Sequence, residues 1–313
     1  MVGMEIRHLQ SFVVAAEEES FTRAGEILGL SQAAVSQHVA AMEKQLRAGL
    51  FKRGPKSVSL TDTGRRVYDH ARRILDLVDE INQTAGQETT DVTGTLRIAS
   101  SSVPSEWLLP ELLVKFREVC PEVDESVTVS DSGAAIRAVE SGMANVGLVG
   151  ELPRAASLCA KSIAQDELML VVSSDHAFVK GSRIAADDLI DEPIIVRESE
   201  SGSRRCVEKA LAKVGLSAGD LRVAMEVNSN DAIRAAVETG VGVSFLSIHA
   251  NAREIRDNRL IPIEIEGFRA VRDLYLISDP QRLPSQVTRA FLAFVEDWRH
   301  TSGRLPRISN GAE

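Results

Sequence analysis

Three residues, Gly29, Leu30 and Ser31, separate two helical runs. So short a break confines the runs to a tight helix-turn-helix pair. The first, Phe21 to Leu28, follows Ser20, whose hydroxyl suits an N-cap, and Gly29 suits its C-terminal turn. The second, "LSQAAVSQHVAAMEKQL", holds no Gly or Pro, and Ser31 suits its cap. Its apolar residues Val35, Val39, Met42 and Leu46 recur at helical spacing and predict one buried face. The other face carries Ser31, Gln32, Ala33, Ser36, Gln37 and Ala40, all small or amide-bearing and all uncharged. An ordinary solvated helix face more often carries Lys and Glu. Upstream, Ile6, Leu9, Val13 and Ala16 predict a further amphipathic helix starting near Met4. Downstream, "LFKRGPKSVSLT" reads as two short extended pieces around Gly54-Pro55, a hairpin with a basic tip.

An exposed face of Gln, Ser and Ala suits base edges in the major groove of double-stranded DNA, where Gln makes two bonds to adenine. A charged face would bind phosphate and discriminate poorly. Arg53 and Lys56 on the hairpin are expected to bind phosphate or enter the minor groove. The DNA-binding set expected here is therefore Ser31, Gln32, Ala33, Ser36, Gln37, Arg53 and Lys56. The charge distribution agrees. The chain has net charge −9, which excludes indiscriminate coating of nucleic acid. Yet Lys44 to Arg73 holds nine basic residues against two acidic, net +7, whereas residues 91–313 hold 25 basic and 33 acidic, net −8.

From Thr61 to about Glu88 the pattern is one long helix. Val67, Ala71, Ile74, Val78, Ile81 and Ala85 step by 4, 3, 4, 3 and 4, a coiled-coil seam that predicts pairing with a second chain. The polar stretch "GQETTDVTG" marks a domain boundary, and beyond it strand and helix patterns alternate, the mark of α/β organisation. A helix is expected over Pro104 to Val119, and residues 301–313 read as a disordered tail. No window reaches the roughly 18 apolar residues of a membrane span, and Met1 to Arg7 lacks a signal-peptide stretch. A cytoplasmic protein is expected. Cys120, Cys159 and Cys206 are odd in number, far apart and without metal-ligand spacing, so no metal site is expected.

"SFTRAGEILGLSQAAVSQHVAAMEKQL" followed by "LFKRGPKSVSLTDTG" resembles the winged helix-turn-helix of LysR-type transcriptional regulators. The match runs through Ser20, Phe21, Ala24, Leu28, Ser31, Gln32, Ala34, Val35, Ser36, Glu43, Leu46, Leu50, Phe51, Arg53, Leu60, Thr61 and Gly64. Two departures stand out: Gly25 where the family usually has Ala, expected to cost up to about 1 kcal/mol in helix propensity, and Arg47 where it usually has Gly. The resemblance implies a winged helix-turn-helix over 4–60, a linker and dimerisation helix over 61–90, and an effector domain over 91–300 with the fold of type II periplasmic binding proteins. Subdomain I is then 91–162 with 268–300, and subdomain II 163–267, with chain crossings near Leu158–Asp166 and Ile263–Arg269. It further implies a homodimer or dimer of dimers on promoter DNA, a tendency to activation, hence RNA polymerase as a partner, and a small-molecule co-inducer in place of a cofactor.

Ligands of open α/β folds bind beyond the carboxyl ends of strands, where helix N-termini offer free N–H groups to anions. Several strands here end in small polar residues: Ser100, Ser101 and Ser102; Ser130, Ser132 and Gly133; Ser199, Ser201, Gly202 and Ser203; Asn228, Ser229 and Asn230. With Val103, Trp107 and Phe245 as apolar walls and Arg204 as an added charge, they predict a cleft for a small anionic effector. Glu198, Glu200 and Asp131 oppose a highly charged one, which leaves a partly cationic metabolite such as an amino acid derivative open. The competing readings are an enzyme acting on a small anion, a transport-type binding protein, and a redox-operated regulator using Cys206. No GxSxG, Walker or HExxH motif supports the enzyme, and no catalytic residue is expected.

Overall fold

The computed structural model describes residues 4–53, 58–85, 92–153, 157–181 and 183–301, without the side chains of residues 53, 76, 79, 80 and 82–85. The chain divides into two compact units, Met1–Thr90 with Ser141–Met143, and Asp91–Glu140 with Ala144–Glu313.

The first unit begins with α1 (Ile6–Glu17), α2 (Phe21–Leu28) and α3 (Gln32–Leu46). Ser20 and Ser31 cap α2 and α3 by accepting from the backbone N–H of Arg23 and Ala34, and Gly29 ends α2 at φ 65°. Leu9, Phe12 and Val13 of α1 pack on Val39 and Met42 of α3. Small residues, Ala15, Ala24 and Val35, let the three helices approach closely. Two expected core residues lie outside: Ile6 is 46% and Leu46 38% exposed, each at a helix end past the reach of the packed neighbours.

The two family departures resolve differently. A Cβ on Gly25 would lie 2.7 Å from the Leu30 carbonyl oxygen. The turn backbone lies against α2 there, so Gly supplies close approach as well as its propensity cost. Arg47 ends α3 at φ 52°, in the left-handed region that favours Gly, and carries that strain.

The wing is an antiparallel pair, β1 (Phe51–Arg53) and β2 (Val58–Leu60). Glu43 anchors it: Oε1 accepts from Leu50 N at 2.7 Å and Phe51 N at 3.3 Å. In α4 (Asp62–Ala85), capped by the Thr61 hydroxyl, the predicted seam is divided. Val67 and Ala71 pack into the first unit's own core, while Ile74 and Ile81 are exposed, with Leu77 beside them. The expected continuation of this helix beyond Ala85, the boundary stretch 86–91, and the tail from residue 302 lie outside the described residues; Thr301 belongs to the last helix.

The second unit is α/β. In chain order come β3 (Gly94–Ser101), α5 (Ser102–Trp107), α6 (Leu109–Val119), β4 (Val123–Ser130), α7 (Ser132–Ser141), β5 (Val146–Val149), β6 (Cys159–Val172), β7 (Arg183–Ile184), β8 (Ile194–Arg197), α8 (Gly202–Lys213), β9 (Val223–Val227), α9 (Asn230–Glu238), β10 (Ser244–Ser247), α10 (Ala252–Arg256), β11 (Ile261–Ile265), β12 (Ala270–Ser278) and α11 (Gln286–Thr301). The helix expected over Pro104–Val119 is broken at Leu108, because Pro110 has no N–H to continue the ladder into α6.

The main sheet runs β4-β3-β5-β12-β6-β11-β7, with β10 also on β6 and the pair β8-β9 separate. Strand β6 serves two cores. Its Ile163 and Ala164 pack with β3, β5, α6 and α11; its Leu168, Leu170 and Val172 pack with α8, Phe245 and Ile263, and Val171 turns to α9 on the opposite face. That alternation is the two-residue period of a strand covered on both faces. β12 makes the same passage, with Ala270 in the second core and Leu274 in the first. The second crossing therefore falls at about 271–273, later than the expected Ile263–Arg269. Residues 261–265 form β11, which stays within subdomain II beside the end of β6.

Asp166 lies where the crossing strands pair, opposite Arg272. It is fully buried. One carboxylate oxygen accepts from Arg272 Nε at 3.1 Å and Nη2 at 3.0 Å, and the other from the Ser247 hydroxyl at 2.5 Å.

Candidate nucleic-acid interface and effector cleft

The outward face of α3 is built as its sequence suggests. Val35, Val39 and Met42 are buried, and this leaves Ser31, Gln32, Ala33, Gln37 and Ala40 exposed. Gln32 Nε2 donates to Ser36 Oγ at 2.9 Å, so the first turn presents a held amide. The inner edge holds His38, whose Nδ1 meets Ser11 Oγ at 2.7 Å. Burial, then the neighbouring His8 and Arg7, push the His38 imidazole below its ordinary value and favour its neutral form. The backbone of Arg53 ends β1; its side chain, and all of Lys56, lie outside the described residues.

In the second unit the strand-end residues divide into three groups. One group meets across the subdomains. A Cβ on Gly202 would stand 3.3 Å from Ser132 Oγ and 3.7 Å from the Gly150 carbonyl oxygen, so the start of α8 lies against the start of α7. Ser101 Oγ donates toward the Leu148 carbonyl at 3.5 Å nearby. Ser102 and Ser130 are partly exposed beside it, and Ser203 is partly exposed in the first turn of α8.

A second group caps helices. Ser201 and Ser229 accept from the N–H of Arg204 and Ala232, and Asp131 does the same for α7 through Ala134. Three of the helix N-termini expected to receive an anion thus already hold an acceptor. The serine hydroxyls keep their own protons for donation. Ser101, at the start of α5, makes no cap bond.

The third group does not line a cleft. Ser100 is fully buried and donates to the Ser101 carbonyl. Val103 is buried in the core of subdomain I. Phe245 packs under α8, because its strand alternates it away from the subdomain boundary. Ser199 and Asn228 are exposed. Arg204 is spent elsewhere, on the Arg197 carbonyl, Glu208 and Glu226.

Asn230 and Trp107, both expected at the cleft, take part in contacts across the boundary whose partners were not foreseen. Glu106 of α5 accepts from Asn230 Nδ2 at 2.9 Å and Arg234 Nη1 at 3.0 Å, both on α9. Arg205 of α8 pairs with Glu151 after β5. Trp107 stacks on His249 at 4.2 Å, nearly parallel. Behind them Arg197, 7% exposed, donates to Asn230 Oδ1 at 2.6 Å and grips both oxygens of Glu198. Glu198 therefore does not oppose an anion, because its charge is matched. The one available signal was an arginine ending the apolar strand "PIIVR".

The alternatives lose ground. Burial pushes the Cys206 thiol up despite its cationic neighbours, the reverse of an activated redox thiol. His176 caps its own turn and faces Glu192, and His249 is covered by Trp107. No group of three or more potential metal ligands, and no helix long and apolar enough to cross a membrane, occurs among the described residues.

Residues 6–65 match the family described as bacterial regulatory helix-turn-helix protein, lysR family, and residues 89–299 match the LysR substrate binding domain. An uncharacterized HTH-type transcriptional regulator of Methanocaldococcus jannaschii is 33% identical over 292 residues, 93% of this chain and 98% of that protein. Full-length CbnR complexed with the target DNA shares the fold at TM-score 0.68 and 24% identity, over 94% of this chain and 99% of that one. The regulatory domain of CcmR from Synechocystis PCC6803, in complex with 2-PG, superposes at TM-score 0.62 and 26% identity, over 68% of this chain and 100% of that one.

Proposed function

The chain belongs to the LysR family of transcriptional regulators, and from that premise we propose that it reads promoter DNA with Ser31, Gln32, Ala33, Ser36 and Gln37. The observation that carries this reading is the exposed, uncharged face of α3 with its held Gln32 amide. Arg53 and Lys56 of the wing add phosphate contacts. The exposed Ile74, Leu77 and Ile81 of α4 supply the seam of a homodimer or a dimer of dimers. Promoter-bound protein then activates through contact with RNA polymerase.

The effector is a small anion held where the two subdomains meet. Hydroxyl donors of Ser102, Ser132, Ser201 and Ser203 lie at that boundary, and buried Arg197 stands behind it. CcmR, a relative in fold, holds 2-PG in the same kind of domain. Binding shifts the balance between open and closed subdomains, and the contacts of Glu106 and Arg205 are those it changes.

A Gln32→Ala, Arg53→Ala variant tests the head. It is expected to lose sequence-specific operator binding while keeping weak, salt-dependent binding; unchanged operator affinity refutes the assignment. Thermal unfolding with a panel of phosphorylated and carboxylic metabolites tests the effector site. An effector at about 100 times its dissociation constant adds about 2.7 kcal/mol.

A further inference from the structure

A second concavity lies on the flank of α8, of about 350 Å³, within the usual range of about 300–1,000 Å³ for small-molecule sites. Of the strand-end residues expected to hold an effector, it shares only Gly202. Its walls are the α8 side chains Arg205, Lys209 and Lys213 and the crossing-strand region at Arg269 and Arg272. Five cations meet there against two acids, Glu151 and Asp273. Arg205 is matched by Glu151, and Arg272 by Asp166. Asp273 accepts from the Tyr275 hydroxyl. Lys209, Lys213 and Arg269 have no ionic partner among the described residues.

This arrangement opposes the charge of its surroundings, because residues 91–313 carry net −8. Lys209 and Lys213 are also four apart on one helix, where like charges repel. Lys209, Lys213 and Arg269 are exposed, and with the largely buried Arg205 and Arg272 they make a concave patch of positive potential that attracts an anion.

We propose that this cavity is a second anion site, separate from the subdomain cleft, taking a small oxyanion of two or more charges such as a phosphate-bearing metabolite. Lys209, Lys213 and Arg269 bind it as point charges. Arg205 and Arg272 form the inner wall. The site reaches both subdomains: α8 belongs to one, Glu151 to the other, and Arg272 lies on the crossing strand. An anion here competes with Glu151 for Arg205, so its occupancy is linked to the same opening and closing as the cleft.

Calorimetric titration of the full-length protein with inorganic phosphate, at low chloride concentration, tests this independently of the effector reading. The wild type is expected to show saturable binding that weakens with salt. Replacement of the three unmatched cations by Gln (K209Q, K213Q, R269Q) lowers the affinity at least about tenfold. The cleft variant Ser102→Ala, Ser203→Ala leaves it unchanged. Lys213→Glu alone, an exposed substitution, gives a second reading with little risk to folding. Absence of saturable phosphate binding, or binding lost in the cleft variant and kept in the triple variant, overturns the proposal. Failure of the metabolite panel leaves this titration intact, and each reading fails on its own result.

Discussion

Asp166→Ala is the perturbation that most directly tests how the effector domain is held together. Asp166 is fully buried and Arg272 has only 8% of its side chain exposed. Two bonds join them, and a third runs to the Ser247 hydroxyl. Removing one partner of a buried pair strands the other charge and costs about 3–5 kcal/mol. For a domain of this size each kcal/mol shifts the melting temperature by about 2–4 °C, so the second unit should melt about 6–20 °C lower. Differential scanning calorimetry of the full-length protein reads this as a separate shift of one transition, leaving the DNA-binding head in place. The double variant Asp166→Ala, Arg272→Met removes the stranded charge and should recover most of the loss. A single variant that loses less than about 1 kcal/mol, or a double variant no more stable than the single, refutes the reasoning.

Arg47→Gly relieves a left-handed backbone at φ 52° and should stabilise the head by about 0.5–1 kcal/mol, measured by urea unfolding of the full-length chain. Gly64→Ala should do the opposite and abolish cooperative unfolding of the head, because a Cβ there would lie 2.0 Å from the Leu50 carbonyl oxygen; a normal transition would show that the close approach is adjustable. Glu106→Gln removes the charge that pairs Arg234 across the boundary and leaves Arg234 with Asp231 and Asn251 alone, so emission from Trp107, stacked on His249, should change without effector, and an unchanged spectrum would argue against this bridge as a closure contact. Burial holds the Cys206 thiol above its usual range, so at pH 7–8 it carries less thiolate than a free cysteine. In a Cys120→Ser, Cys159→Ser background, alkylation should therefore be slower than for glutathione, with the rate rising as pH rises.

Much of the head was legible because its signals are local. A cap at Ser20 and Ser31, a Gly at the αL position of Gly29, and apolar residues at 35, 39 and 42 act over one or two turns of chain, and each sits where its local chemistry predicts. The alternation of strands and helices after Gly94 is equally local, and it established the α/β class. The seam of α4 was legible only as a pattern. Periodicity found its apolar residues but did not separate Val67 and Ala71, which serve the head's own core, from Ile74 and Ile81, which remain exposed.

The effector region shows the limit of such reading. A serine after a strand looks the same whether it caps a helix, as Ser201 and Ser229 do, or lies buried within the fold, as Ser100 does. Sequence determined the helix-turn-helix pair, the basic wing strand, the long helix α4 and the alternating α/β plan, all set by neighbours a few residues apart. Tertiary structure decided which polar residues meet: Glu106 with Arg234, Arg205 with Glu151, Asp166 with Arg272, and the cations of α8 with Arg269. Those pairs are separated by dozens of residues or more along the chain. Only the passage of β6 and β12 between two cores brings them together, and no local propensity encodes a distance between side chains so far apart in sequence.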